Sequence, residues 1–350
     1  LFDTKKMKRF FPRIGLLLLV LAACQKEDPA PALPQDTDVY TLSIPTGFPM
    51  PDIPADNALT KSRVALGRRL FYDPALSADS TRSCASCHAP HLAFSDSTAV
   101  SLGIENRAGT RNAPTLANVA YQQKLLREGG VPTLEMQILV PFQERHEFDF
   151  NILLAAERLN RMPEYVQMAE TAYGRKPDAF VITRSIAAFE RTLLSGDAPF
   201  DQWFFQGKNE AISASAKRGY DLFQSEKLNC GTCHTGFLLT NQSFTNNGLY
   251  EVYPDSGRFR LTGLESDRAV FKVPTLRNIA LTAPYMHDGS LPTLEAVLDH
   301  YQTGGKAHPN KSPLLKPFAL TAQERTDLLA FLQSLTDSGF VTNAAHGRPE

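Results

Sequence analysis

The chain has 350 residues, 43% hydrophobic and 21% charged, with a formal net charge of −1. That length accommodates two domains of ordinary size. The near-neutral balance excludes the basic surface that a nucleic-acid partner would require. Residues 1–23 carry five basic residues and one acid; without them 31 basic face 36 acidic residues, a net of −5 and a mildly acidic surface.

Lys8-Arg9, the apolar run Ile14 to Leu21 and then Leu21-Ala22-Ala23-Cys24 follow the order of an export signal, with Met7 as the expected start. The run is too short to span a membrane. A cysteine at the cleavage point resembles a bacterial lipoprotein signal. The expected product is periplasmic and held at the membrane only by a lipid on Cys24. Residues 24–58 are rich in proline and read as a tether leading into an extended segment.

Regular structure is expected from about Thr60, with Val64, Leu66, Leu70 and Phe71 on one face of a short helix that Asp73-Pro74 stops. Then comes Cys84-Ala85-Ser86-Cys87-His88, repeated later as Cys230-Gly231-Thr232-Cys233-His234. C-x-x-C-H is the attachment pattern of c-type haem: the cysteines hold the porphyrin through thioethers and the histidine takes the iron. Redox dithiols and zinc ligands share the C-x-x-C spacing. However, the βαβ context of a redox dithiol is missing, and two copies in matching surroundings point to two haems. The remaining cysteine is Cys24, so none is left for a structural disulfide.

The surroundings repeat as well. Gly67-Arg68-Arg69-Leu70-Phe71 precedes the first motif and Gly219-Tyr220-Asp221-Leu222-Phe223 the second. Downstream, Asn112-Ala113-Pro114-Thr115-Leu116-Ala117-Asn118 answers Lys272-Val273-Pro274-Thr275-Leu276-Arg277-Asn278. Between the halves, helices are expected over Leu153–Tyr173, broken at Met162-Pro163, and over Phe180–Leu194. A last helix begins at the capping box Thr321-x-x-Glu324. Strand pattern is confined to Tyr250–Val252. The expected fold is mainly α: two cytochrome c-like haem domains in tandem with a duplicated core. Their expected bounds are 59–205 and 206–337, with 206–216 as the linker and 338–350 as a loose tail.

With both haem motifs, the paired P-T-L segments and the run Ala283-Pro284-Tyr285-Met286-His287-Asp288-Gly289, the chain resembles the bacterial di-haem cytochrome c peroxidase and MauG family over about residues 55–336. The resemblance implies a peroxidatic first haem on His88 and an electron-receiving second haem on His234. It implies a calcium ion between the domains, held by Asn112 and the carbonyls of Thr282 and Pro284, and a propionate contact from His287. It also places a glutamine four residues before a proline and a catalytic glutamate six after it, here Gln137, Pro141 and Glu147. A carboxylate beside an open iron face can take a proton from one peroxide oxygen and return it to the other. Glu144 is the competing acid.

Three departures stand out. Ile104 occupies the position of a histidine that blocks the first iron in related peroxidases, with His91 and His146 as replacements that could swing in. Tyr301 occupies the place of the second haem's methionine ligand, as in MauG, with His300 and Met286 as alternatives. Arg127 replaces a tryptophan between the haems, either to pair with a haem propionate or as a surface residue of a shifted loop. Electrons would then tunnel directly or pass through Tyr121 or Trp203. The expected function is reduction of hydrogen peroxide to water with electrons from a small cytochrome c or cupredoxin. MauG-like oxidation of aromatic residues in a protein substrate and a non-enzymatic di-haem electron carrier are the alternatives, and a homodimer stays open.

Overall fold

A computed structural model describes residues 38–350, over which the chain is mainly helical. The signal, Cys24 and the first part of the tether lie outside the described residues. Helix α1 (Lys61–Tyr72) begins where the Thr60 hydroxyl accepts the Arg63 amide. Val64, Leu66, Leu70 and Phe71 are buried on it, as their spacing predicts. It ends at Asp73, whose carboxylate accepts the Ala75 amide and starts the turn at Pro74.

Two short helices follow the first haem motif, α2 (Leu134–Gln137) and α3 (Leu139–Gln143). The predicted break at Met162-Pro163 separates α4 (Ile152–Leu159) from α5 (Pro163–Tyr173), with proline at the first helical position, where its missing N–H costs nothing. Asp178 caps α6 (Ala179–Glu190), which is buried on nearly every face from Val181 onward. α6 packs on α1 at Gly67, where a Cβ would lie 1.8 Å from the Ser185 carbonyl oxygen. The two helices therefore touch backbone to backbone.

The second half uses the same contact. After α7 (Pro199–Phe204) comes α8 (Ala214–Gln224), which packs on the later α12 (Ala322–Gln333). A Cβ on Gly219 would lie 1.9 Å from the Asp327 carbonyl oxygen. In between lie α9 (Cys230–Cys233), α10 (Phe259–Thr262) and α11 (Leu294–Gln302). Finer bonds also match. Thr115 donates its hydroxyl to the Ala93 carbonyl and Thr275 to that of Leu238. Asn118 and Asn278, both left-handed, donate their amides to Leu193 and Leu335. Buried apolar side chains form one cluster from Leu59 to Leu193 and another from Phe200 to Leu335.

Two expectations are corrected. Tyr250–Val252 is not a strand: the Tyr250 hydroxyl turns to Asp288 at 2.6 Å and the Leu249 amide bonds the Tyr253 hydroxyl, so side chains take the place of a ladder. The strands are instead β1 (Phe244–Thr245) and β2 (Phe271–Lys272), an antiparallel pair. Nor is the tail loose. It forms α13 (Ser338–Val341), and Phe340 is buried in the first cluster with its ring 5.7 Å from Phe94. Arg68 and Tyr72 of α1 donate to the carbonyls of Gly347 and His346, at 2.7 and 2.6 Å. Among the described residues no helix is long and apolar enough to cross a membrane.

Candidate active site

The first haem motif folds as a tight turn in which the His88 amide donates to the Cys84 carbonyl at 3.0 Å. His88 Nδ1 lies 2.9 Å from the Phe94 carbonyl oxygen. A carbonyl only accepts, so Nδ1 carries the proton and Nε2 keeps the lone pair that a metal needs. Burial lowers the His88 pKa and favours that neutral form. Cys84, Cys87 and His88 line one pocket, whose wall also holds Gln137, Pro141, Glu147 and apolar Leu116, Ile138 and Phe142.

Chain reversal brings Gln137 and Glu147 to that wall. α2 ends at Gln137, α3 turns the chain, and the returning amides of Phe148 and Phe150 bond the carbonyls of Pro141 and Phe142, at 3.0 and 2.8 Å. The Glu147 side chain opens onto the cavity. Desolvation, and then the charge of Glu144, push its carboxyl up to about 7. Glu144 is off the wall, and its carbonyl accepts the amides of Glu147 and Asp149. Ile104 is buried behind the wall, with its amide on the Glu147 carbonyl. Neither His91 nor His146 lines the pocket.

A second carboxyl on the wall escaped sequence reasoning. Glu190, the last residue of α6, is 3% exposed, and its Oε2 has no hydrogen-bond partner. Desolvation pushes it up to about 8, against the pull of Arg191. The one available signal was an acid in the otherwise apolar stretch Ile186-Ala187-Ala188-Phe189.

The second motif begins on α9. His234 Nδ1 faces the Leu239 carbonyl at 3.1 Å, so its Nε2 likewise keeps the lone pair. Tyr301, on α11, lies within electrostatic reach of Cys230 and Cys233: desolvation first pushes its phenol up to about 12, a hydrogen bond from Asn247 acts the other way, and the two thiols add to the rise. The other two ligand candidates are held by Asn247. His300 Nε2 donates to its carbonyl at 3.0 Å, and the Met286 sulfur accepts from its side-chain amide at 3.1 Å.

This arrangement has close relatives. A family model described as di-haem cytochrome c peroxidase matches residues 61–210, and a RoxA-like, cytochrome c-like model matches 270–303. The methylamine utilization protein MauG of Methylorubrum extorquens is 40% identical over 286 residues, which are 81% of this chain and 80% of that protein. The chain belongs to the di-haem cytochrome c peroxidase and MauG family. The cytochrome c551 peroxidase of Pseudomonas aeruginosa is 32% identical over 79% of this chain and 80% of its own length. The crystal structure of a MauG-like protein associated with microbial copper homeostasis superposes with a TM-score of 0.85 at 35% identity, covering 89% of this chain and 99% of that one.

Members of this family carry two haems, and the residues here fit them. Both cysteine pairs are free, and each is followed by a histidine whose lone-pair nitrogen is set by a carbonyl. The calcium ion does not fit. Asn112, the only side-chain ligand of the expected set, gives Oδ1 to Arg127 Nη2 at 2.7 Å and its backbone oxygen to Arg127 Nε at 2.9 Å. Arg127 is therefore not a surface residue of a shifted loop. Burial and Arg111 lower its pKa to about 10, which leaves it a cation at neutral pH. His287 stacks on Phe271 at 4.2 Å, and its carbonyl accepts the Asn112 amide at 2.9 Å. Tyr121 packs edge-on to Phe237, and Trp203 lies with Phe200 and Tyr220 in the second cluster.

Proposed function

We propose that the protein is a c-type di-haem peroxidase that reduces hydrogen peroxide to water with electrons from a small cytochrome c or cupredoxin. The observation that carries this reading is the shared wall: Glu147 and Gln137 face the same pocket as Cys84, Cys87 and His88. Bound haem supplies the iron and the path for electrons. The chain's own residues do the rest. His88 and His234 each present Nε2 to an iron, with Nδ1–H fixed on a carbonyl. Glu147, whose carboxyl is pushed up to about 7, can take a proton from one peroxide oxygen and return it to the other. Gln137 supplies an amide that orients the bound oxidant. Ile104 has no lone pair to offer a metal, which leaves the peroxide side of the pocket without an endogenous blocking group.

Tyr301 is the proposed second ligand of the His234 haem, and His287 the partner of a propionate. The matching helix contacts and threonine bonds support two tandem domains with a duplicated core, over 59–205 and 206–337. Export to the periplasm, with a lipid on Cys24, follows from the leader pattern. The decisive experiment follows peroxide-dependent oxidation of reduced cytochrome c and of a reduced cupredoxin by the haem-loaded protein. Steady turnover with either donor supports the reading, and none with both refutes it. The tyrosine beside the second motif and the similarity to MauG favour a second reading, oxidation of aromatic residues in a protein substrate. Peroxide-driven modification of a co-purifying protein, without turnover of small donors, would select it.

A further inference from the structure

The Asn112 side chain is oriented from both ends. Its Nδ2 donates to the Thr98 carbonyl at 3.2 Å, which turns Oδ1 towards Arg127. Two donors of one guanidinium then take Oδ1 and the Asn112 backbone oxygen together. A planar fork of fixed donors suits such a pair of oxygens, and it is always charged. The backbone of Arg127 is fixed too, because its carbonyl accepts the Lys272 amide of β2 at 2.7 Å. The Asn112 amide in turn reaches the His287 carbonyl. Residue 127 thus joins the P-T-L segment of the first half to β2 and the Met286-His287 loop of the second.

Calcium takes six to eight oxygens, waters among them. The expected set of Asn112, Thr282 and Pro284 supplies three protein oxygens, and its one side-chain oxygen, Asn112 Oδ1, is already taken by Arg127. The neighbouring acids are already engaged: Glu128 with Arg111 and Arg260, and Asp255 with Arg111. A divalent ion on Asn112 Oδ1 would meet a guanidinium already bonded there, and Asp288, the remaining carboxylate whose charge acts on Arg127, is held by the Tyr250 hydroxyl and the Ser290 amide.

We infer that the Arg127 guanidinium stands where related proteins hold calcium, so that a built-in organic cation ties the two halves and the junction is independent of calcium. The inference rests on the family's ligand set falling on Asn112, Thr282 and Pro284. It does not rest on peroxidase activity, and its test reads none.

The haem-loaded protein is equilibrated with calcium chloride, freed of unbound ions and assayed for calcium by mass spectrometry. Its thermal midpoint is measured in calcium and in EGTA. The expected result is background calcium and equal midpoints. Arg127→Ala and Arg127→Trp should bind one calcium ion per chain and show a midpoint that falls in EGTA, whereas Arg127→Lys should stay calcium-free. Stoichiometric, EGTA-sensitive calcium in the unaltered protein overturns the inference. So does an Arg127→Ala variant with full haem content that still takes up no calcium. Should the Arg127 variants fail to fold, Asn112→Ala decides: it removes an acceptor of the guanidinium, so stability should fall by the same amount in calcium and in EGTA. A loss confined to the calcium-containing buffer overturns the inference.

Discussion

The backbone amide of Ile104 donates to the Glu147 carbonyl at 3.0 Å. The chain segment that carries a blocking histidine in related peroxidases is thus fixed against the segment of the pocket carboxylate, with a hydrocarbon in place of a ligand. The oxidised protein as isolated should therefore react with peroxide without prior reduction. Stopped-flow mixing of the fully oxidised protein with peroxide checks this. A reaction that begins only after one electron is added would show that another group closes the pocket.

Glu147→Gln keeps the size of the side chain and removes the base. It should keep both haems and lose peroxide turnover by about 10²-fold or more. The carboxyl sits near 7, so the rate of reaction with peroxide should rise with pH through that value in the unaltered protein and stay flat in the variant. Glu144→Gln, off the wall, should change turnover only a few-fold. The reverse ranking would mean that the returning loop is misread.

Tyr301→Phe should alter the spectrum of the second haem and raise its potential, because phenolate oxygen favours ferric iron. Met286→Leu and His300→Gln should not, since both side chains are held by Asn247. Spectra recorded during a redox titration separate the three. An unchanged second haem in Tyr301→Phe removes tyrosine from the role.

Glu190 makes stability depend on pH. Its carboxyl, about 8 in the folded protein, returns to an ordinary value of 4.5 on unfolding. The folded state therefore binds more protons between these values, and stability falls as pH rises from about 4.5 to 8. Glu190→Gln removes that contribution. Thermal midpoints across this range should converge at low pH and favour the variant at high pH. Parallel curves would show that Glu190 is not buried in the haem-loaded protein.

Gly67→Ala and Gly219→Ala each place a methyl within 2 Å of a facing carbonyl oxygen, at Ser185 and Asp327. Overpacking of this kind costs about 1–3 kcal/mol, and more where backbone must move. Both variants should lower the thermal midpoint. A tolerated alanine at either site would mean that the helices stand farther apart there.

The helix–motif–P-T-L order was legible because each part has a local signature: Thr60 and Thr321 caps, apolar spacing in α1 and α6, and cysteines next to histidine. Gln137 and Glu147 were assigned through the resemblance to the family's pattern around Pro141, not from the residues alone, and chain reversal brings them to one wall. What could not be read depends on long side chains and distant segments. A replaced tryptophan marks Arg127 as different, but nothing local says that its fork reaches back to Asn112. Glu190 sits in an apolar helix, where an acid gives no hint of facing a cavity. Phe340 follows a turn in a short polar tail, and only the tertiary fold reveals that Phe94 awaits it.

That tail ties the first haem site to a distant stretch of the chain. Phe340 and His346 close over Phe94, the residue whose carbonyl orients His88, and α1 holds the carbonyls of His346 and Gly347. The first haem pocket is thus braced by a segment that lies beyond the whole second motif in sequence. Loss of the Phe340 and His346 rings should therefore loosen the His88 site before it reaches the His234 site.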